Sequence, residues 1–181
     1  MKKLFILLIA GFMTLAATAQ FSKATLQATG LTCAMCSNAI NKALQDVPFV
    51  ASVRSDIKNS AFDIVFKENT EVSIDAIRKA VEDAGFSVGG LKMTGQFNQV
   101  QIGNDKHVEI GQTVFHFIDI KSSLLNGEQT LTVVDRNFVS AKQFKKISSA
   151  TKMSCLQTGK AASCCEKDGV KSDTRIYHVT I

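Results

Sequence analysis

Past residue 20 the apolar positions first recur every second residue. Ala24, Leu26 and Ala28 share one side of 22–29, as in a half-buried strand, and Gly30 ends the pattern. From Ser37 the period lengthens: Ile40, Ala43, Leu44 and Val47 fall on one helical face, and Pro48 closes the segment. Val50 and Val53 lead an extended stretch, and 56–60 reads as a turn. Phe62, Ile64 and Phe66 then alternate with Asp63, Val65 and Lys67, a further strand. A second helix is predicted to start near Ser73, with Ile74, Ile77, Val81 and Ala84 on its apolar face. Asp75, Lys79, Glu82 and Asp83 line its polar face, and Gly85 suits the left-handed residue that ends a helix. Residues 86–93 supply a last strand, so the order is βαββαβ.

That order is the ferredoxin-like split βαβ arrangement. After Thr94-Gly95-Gln96, a short boundary, strand patterns recur at 99–102, 113–120, 128–134 and 176–181. The second is buried on both faces, with Phe115 and Phe117 on one and Val114, His116, Ile118 and Ile120 on the other. Asn126-Gly127 reads as a turn, and 141–150 as a short basic helix with Phe144 and Ile147 on one side. The expected fold class is α+β: a ferredoxin-like domain over 20–94, then a small β-rich domain, an OB-like barrel, over 95–181.

The first residues change the picture of where the chain works. Met1-Lys2-Lys3, an apolar run from Leu4 to Leu15 and Ala17-Thr18-Ala19 are the three parts of a secretory signal peptide. Residues 1–19 are therefore expected to be removed, leaving an exported protein, most simply in a bacterial periplasm, with no membrane anchor. The formal net charge of +5 falls to about +3 once Lys2 and Lys3 are gone. No basic block with interleaved aromatics exists, so charge gives no reason to expect nucleic-acid binding.

The chemistry centres on Gly30-Leu31-Thr32-Cys33-Ala34-Met35-Cys36. Two thiols lie between a strand and a helix, where unpaired backbone N–H groups and the helix dipole favour thiolates. At this spacing they converge on one soft metal ion or close as a disulfide. A dithiol redox site is the first alternative. Such sites usually carry an aromatic before the first cysteine and a cis-proline facing the pair. This chain has no Trp, and its single proline ends the first helix. A structural zinc site would need two further ligands nearby, and no second CxxC or HxxxH is present.

Residues 22–93 resemble the heavy-metal-associated domain family, the copper-chaperone type also found as N-terminal modules of metal-exporting ATPases. The family motif G-M-T-C-x-x-C stands here as Gly30 to Cys36, with Leu31 in place of Met, and the Gly-aromatic pair opening the last strand is Gly85-Phe86. The resemblance implies Cu(I) held nearly linearly by Cys33 and Cys36, with Hg(II), Zn(II) or Cd(II) as other ions. It implies a metal-donating or metal-accepting partner protein, such as a membrane exporter, and binding rather than catalysis. It also implies that Phe86 sits under the site, with Met35 exposed between the cysteines. Periplasmic mercury-binding proteins share the signal peptide and the domain, but they end with it. A thiol-disulfide oxidoreductase is the alternative from another class.

Three more cysteines lie far along the chain. Met153, Cys155, Cys164 and Cys165 frame a polar loop. The plain expectation is one disulfide from Cys155 to Cys164 or Cys165, with one thiol left over. The sharper one is a second soft-metal site made by these thiols with Met153. His107, His116 and His178 are few and scattered; His116 and His178 each sit in a strand, and all three read as structural histidines.

Overall fold

A computed structural model describes residues 20–31 and 34–181. The expected signal peptide, residues 1–19, lies outside the described residues, and so do Thr32 and Cys33. The elements run β1 (Gln20–Thr29), α1 (Ala34–Gln45), β2 (Val50–Asp56), β3 (Ala61–Phe66), α2 (Ile74–Asp83) and β4 (Ser87–Ile102). There follow β5 (Lys106–Ile110), β6 (Thr113–Phe117), β7 (Ser123–Val133), α3 (Ala141–Ser148), α4 (Cys155–Thr158), a 3-10 helix (Ser163–Asp168) and β8 (Ile176–Thr180).

The first six elements form as their periodicity predicts. Ile40 and Leu44 of α1 and Ile77 and Val81 of α2 bury one face of each helix against Leu26, Ile64 and Leu91 of the sheet. Ser73 caps α2, its Oγ accepting from the Ala76 N–H at 3.2 Å. Gly85 takes φ +86°, the left-handed conformation that stops the helix. Phe86 N–H then returns to the Val81 carbonyl at 3.1 Å, which aims the chain into β4.

The second half departs from expectation. All eight strands form one open sheet in the order β2-β3-β1-β4-β7-β8-β6-β5, whose ends β2 and β5 do not meet, so the expected barrel is instead an extension of the first sheet. β4 is the shared strand. From Leu91 to Gln96 it pairs with β1 on one edge and β7 on the other, so Thr94-Gly95-Gln96 falls in mid-strand. A single cluster of buried side chains runs from Leu26 and Ile40 to Phe138 and Val179. An aromatic seam joins the halves: the Phe21 ring of β1 lies 6.1 Å from Phe97 and 5.6 Å from Phe115 of β6.

Two local signals pointed the wrong way for one reason. The β4–β7 ladder slips between Phe97 and Val100, with Gln99 at φ 50° and Gly127, opposite Phe97, at φ 71°. This is a bulge, which keeps both strands going where the sequence reads as a new strand from 99 and a turn at Asn126-Gly127. The pair therefore sits inside β7. The strand at 106–110 carries no clear alternation and is found only through its pairing with β6. α3 forms as expected: Ser140 and Gln143 make a reciprocal capping box, and Phe144 is buried. Among the described residues no helix is long and apolar enough to cross a membrane.

Candidate metal centres

The first candidate is the loop between β1 and α1. Gly30 ends β1 at φ +85°, and a Cβ there would come within 3.9 Å of the Phe86 ring. The Gly-Phe pair at the start of β4 therefore packs directly against the loop, and half-buried Leu31 packs into the same core. α1 begins at Ala34, three residues sooner than its apolar face suggests, and this puts Cys36 in its first turn. There the helix dipole presents its positive end, a setting suited to an anionic ligand. Cys36 is half-buried. Met35 beside it is 82% exposed, so this side of the loop faces solvent. Cys33 lies outside the described residues.

The second candidate was only half visible in the sequence. Cys155 opens α4 and Cys164 and Cys165 lie in the 3-10 helix; the three sulfur atoms come within 4.8 Å of one another. They stand as free thiols rather than with the expected disulfide. Cys155 and Cys165 are buried, and Cys164, 3.5 Å from Cys165, is partly exposed. Met153 packs half-buried against this cluster.

Two histidines, His107 and His116, join Cys155, with His178 beside them, although their positions in the chain give no hint of this. β5, β6 and β8 are neighbours, with His107 opposite His116 and His116 opposite His178. The imidazoles line up across the sheet, with centroids 4.5 Å and 5.1 Å apart. All three are buried, and Cys155 Sγ lies 3.8 Å from His107 Nε2 and 3.6 Å from His116 Nδ1. Each ring has its other nitrogen, or one nitrogen in the case of His178, on a carboxylate. His107 Nδ1 meets Asp168 at 2.7 Å, His116 Nε2 meets Asp105 at 3.2 Å, and His178 Nδ1 meets Asp135 at 2.6 Å. His178 Nε2 is buried with no hydrogen-bond partner among the described residues. Sequence reasoning missed the histidines because it could not see the strand register. The available signal was that His116 and His178 each sit in an unbroken apolar run.

Protonation follows from burial and neighbours. Burial, then the positive charge His178 and His107 would carry, lowers the pKa of His116 to about 3, so the ring is neutral at ordinary pH. Burial pushes the Cys155 thiol up, as do its neighbours Cys165 and Cys164. Cys164 goes the other way. Burial raises it, but hydrogen bonds from Ser154 Oγ, the Cys155 backbone and the adjacent thiols prevail and bring it down to about 7. The outermost thiol is thus the one most ready to ionise.

An ion pair ties this half to α2. Arg175 donates to both carboxylate oxygens of Asp75, at 3.0 and 3.3 Å, and lies 3.6 Å from Asp135, the partner of His178.

Comparison with known proteins identifies the first half. Residues 25–87 match the model of the heavy-metal-associated domain. The probable copper-transporting ATPase HMA5 of Arabidopsis thaliana is 35% identical over 65 residues, 36% of this chain and 6% of that protein. The copper-transporting ATPase RAN1 of the same plant is 41% identical over 58 residues, 32% of this chain and 6% of that protein. The chain therefore spans 6% of the length of each of these relatives. Among solved structures, a copper binding domain from HMA7, a P-type ATPase, is 33% identical, with 40% of this chain and 92% of that one covered and a TM-score of 0.35. The CopZ metallochaperone is 25% identical, with 37% and 98% covered and a TM-score of 0.34. Over residues 25–87, then, the chain carries a heavy-metal-associated domain.

Proposed function

We propose that this is an exported soft-metal-binding protein that takes up Cu(I) and passes it on through Cys33 and Cys36. The observation that carries the reading is the position of Cys36, in the first turn of α1 on the loop that Phe86 supports, within a heavy-metal-associated domain. Two thiolates with little further ligation suit a soft ion of low coordination number and reject hard ones. The exposure of Met35 leaves that side of the loop open. A partner's thiols can attack a bound ion there and share it before the original bonds break. No electron moves in such an exchange, so binding and transfer, rather than catalysis, is the activity proposed. The partner is a protein that presents its own soft ligands, a metal donor or a metal acceptor.

Anaerobic competition against a Cu(I) chelator, on the reduced full chain and on a Cys33→Ser/Cys36→Ser variant, tests the reading. Loss of one tightly bound Cu(I) equivalent in the variant supports it. An equal number of tightly bound equivalents in the two proteins removes it. Export is tested separately: the mass of the protein recovered outside the cytoplasm should correspond to loss of residues 1–19.

A further inference from the structure

The cluster on β5, β6 and β8 poses a hydrogen-bonding problem. His107 Nδ1 and His116 Nε2 each face a carboxylate, the natural place for the ring proton of a neutral imidazole, and in that tautomer the other nitrogen of each ring is a lone pair. Both lone pairs, His107 Nε2 and His116 Nδ1, point at the sulfur of Cys155. One S–H carries one proton and cannot satisfy two acceptors, and buried acceptors are seldom left unmade. A cation in place of that proton would engage both nitrogens and the sulfur together.

The spacing fits. With bonds of about 2.0 Å to nitrogen and 2.3 Å to sulfur, a tetrahedral ion sets a nitrogen–sulfur edge of roughly 3.5 Å. The observed separations are 3.8 and 3.6 Å. Asp168 and Asp105 behind the two imidazoles supply the carboxylate support that fixes ring orientation in metal sites. Cys164 and Cys165 add two thiols against Cys155, graded from partly exposed to buried. His107 and Asp168 line the wall of a surface pocket with Gln112 and Lys171.

We propose that His107 Nε2, His116 Nδ1 and Cys155 Sγ form a second binding site for one thiophilic closed-shell cation, Cu(I) or Zn(II), with Cys164 and Cys165 handing the ion inward. Cys155 binds as the thiolate and releases its proton to solvent, and the ion moves by exchange of thiolate ligands without redox change. The site does not depend on the Cys33/Cys36 loop.

The test uses the full chain with Cys33→Ser/Cys36→Ser, reduced and anaerobic, titrated in separate arms with Cu(I) and with Zn(II). The expected result is one equivalent bound at nanomolar affinity or tighter in at least one arm; the arm names the ion. X-ray absorption at the metal edge should show a mixed shell with nitrogen and sulfur. Adding Cys155→Ser should weaken binding by more than about a hundredfold. Absence of tight binding in both arms overturns the proposal. So does a shell of sulfur alone, a measurement that leaves every residue of the cluster native and does not depend on a variant folding. Failure of the loop reading is seen elsewhere, as an unchanged number of tightly bound Cu(I) equivalents when Cys33 and Cys36 are replaced in otherwise native protein.

Discussion

Truncating Leu26 to alanine should destabilise the far end of the molecule as much as the near end. Leu26 is fully buried in β1, opposite Phe62 of β3 and Leu91 of β4. The change deletes three buried carbons, about 2.4 kcal/mol of transfer free energy at roughly 0.8 each. Strands paired on both sides cannot close over the gap, so the residual cavity raises the loss to about 3–4 kcal/mol. Tyr177 reports from the other half. It is the single tyrosine in a chain without tryptophan, and it lies on β8 with Arg175 4.0 Å over its ring. Because β4 belongs to both halves of the sheet, tyrosine emission and far-UV circular dichroism should give one coincident urea transition. With a slope of about 2 kcal/mol/M, Leu26→Ala should move both midpoints down by roughly 1.5–2 M. A tyrosine midpoint that stays put while the circular dichroism midpoint falls would mean two independent units, and the continuous sheet would have no energetic meaning.

Other outcomes follow from the C-terminal cluster and its ties. Alkylation near neutral pH, followed by mass spectrometry, should modify Cys164 well before Cys155 or Cys165, since its pKa of about 7 leaves much of it ionised; equal rates at the three would contradict this. Asp135→Asn leaves an acceptor for His178 but removes the charge near Arg175, and should cost about 1–3 kcal/mol in urea unfolding; a wild-type midpoint would count against it. Burial raises Asp75 and Asp168, but Arg175 beside the one and His107 beside the other more than offset it, and both carboxyls end below their ordinary values. Folded values below unfolded ones mean that the stability they contribute is complete above the ordinary carboxylate range and is lost as pH falls through the folded values. The urea midpoint should therefore hold from about pH 7 to about pH 5 and then decline, less steeply in Asp75→Asn; identical slopes would refute the linkage.

The first half could be read from the sequence because its signals are local. Strand alternation around Leu26 and Ile64, the helical faces of α1 and α2, and the positive φ of Gly30 and Gly85 are each fixed within a few residues. The second half is held by pairings that span the chain. β4 meets β7 more than 20 residues on, and β6 lies parallel to β8 more than 60 residues on. The bulge at Gln99 and Gly127 wrote local breaks into strands that do not break. The thiols near Cys155 could be grouped from their spacing, but the histidines could not. His107 and His116 meet by antiparallel register, His116 and His178 by parallel register, and Cys155 reaches His107 and His116 from the start of α4. Three ligands on three elements, His107 on β5, His116 on β6 and Cys155 on α4, share a site only after the sheet has formed.

Amide shifts on reduced, nitrogen-15-labelled full chain, recorded as the first sub-stoichiometric Cu(I) is added, go to the heart of the proposed function. If the loop is where metal loads, the amides of Ala34 to Ser37 and of Phe86 and Ser87, which flank it, should shift first, and the Cys33→Ser/Cys36→Ser variant should lose that response. If those amides stay still while Cu(I) binds, metal enters elsewhere and the role assigned to Cys33 and Cys36 is wrong.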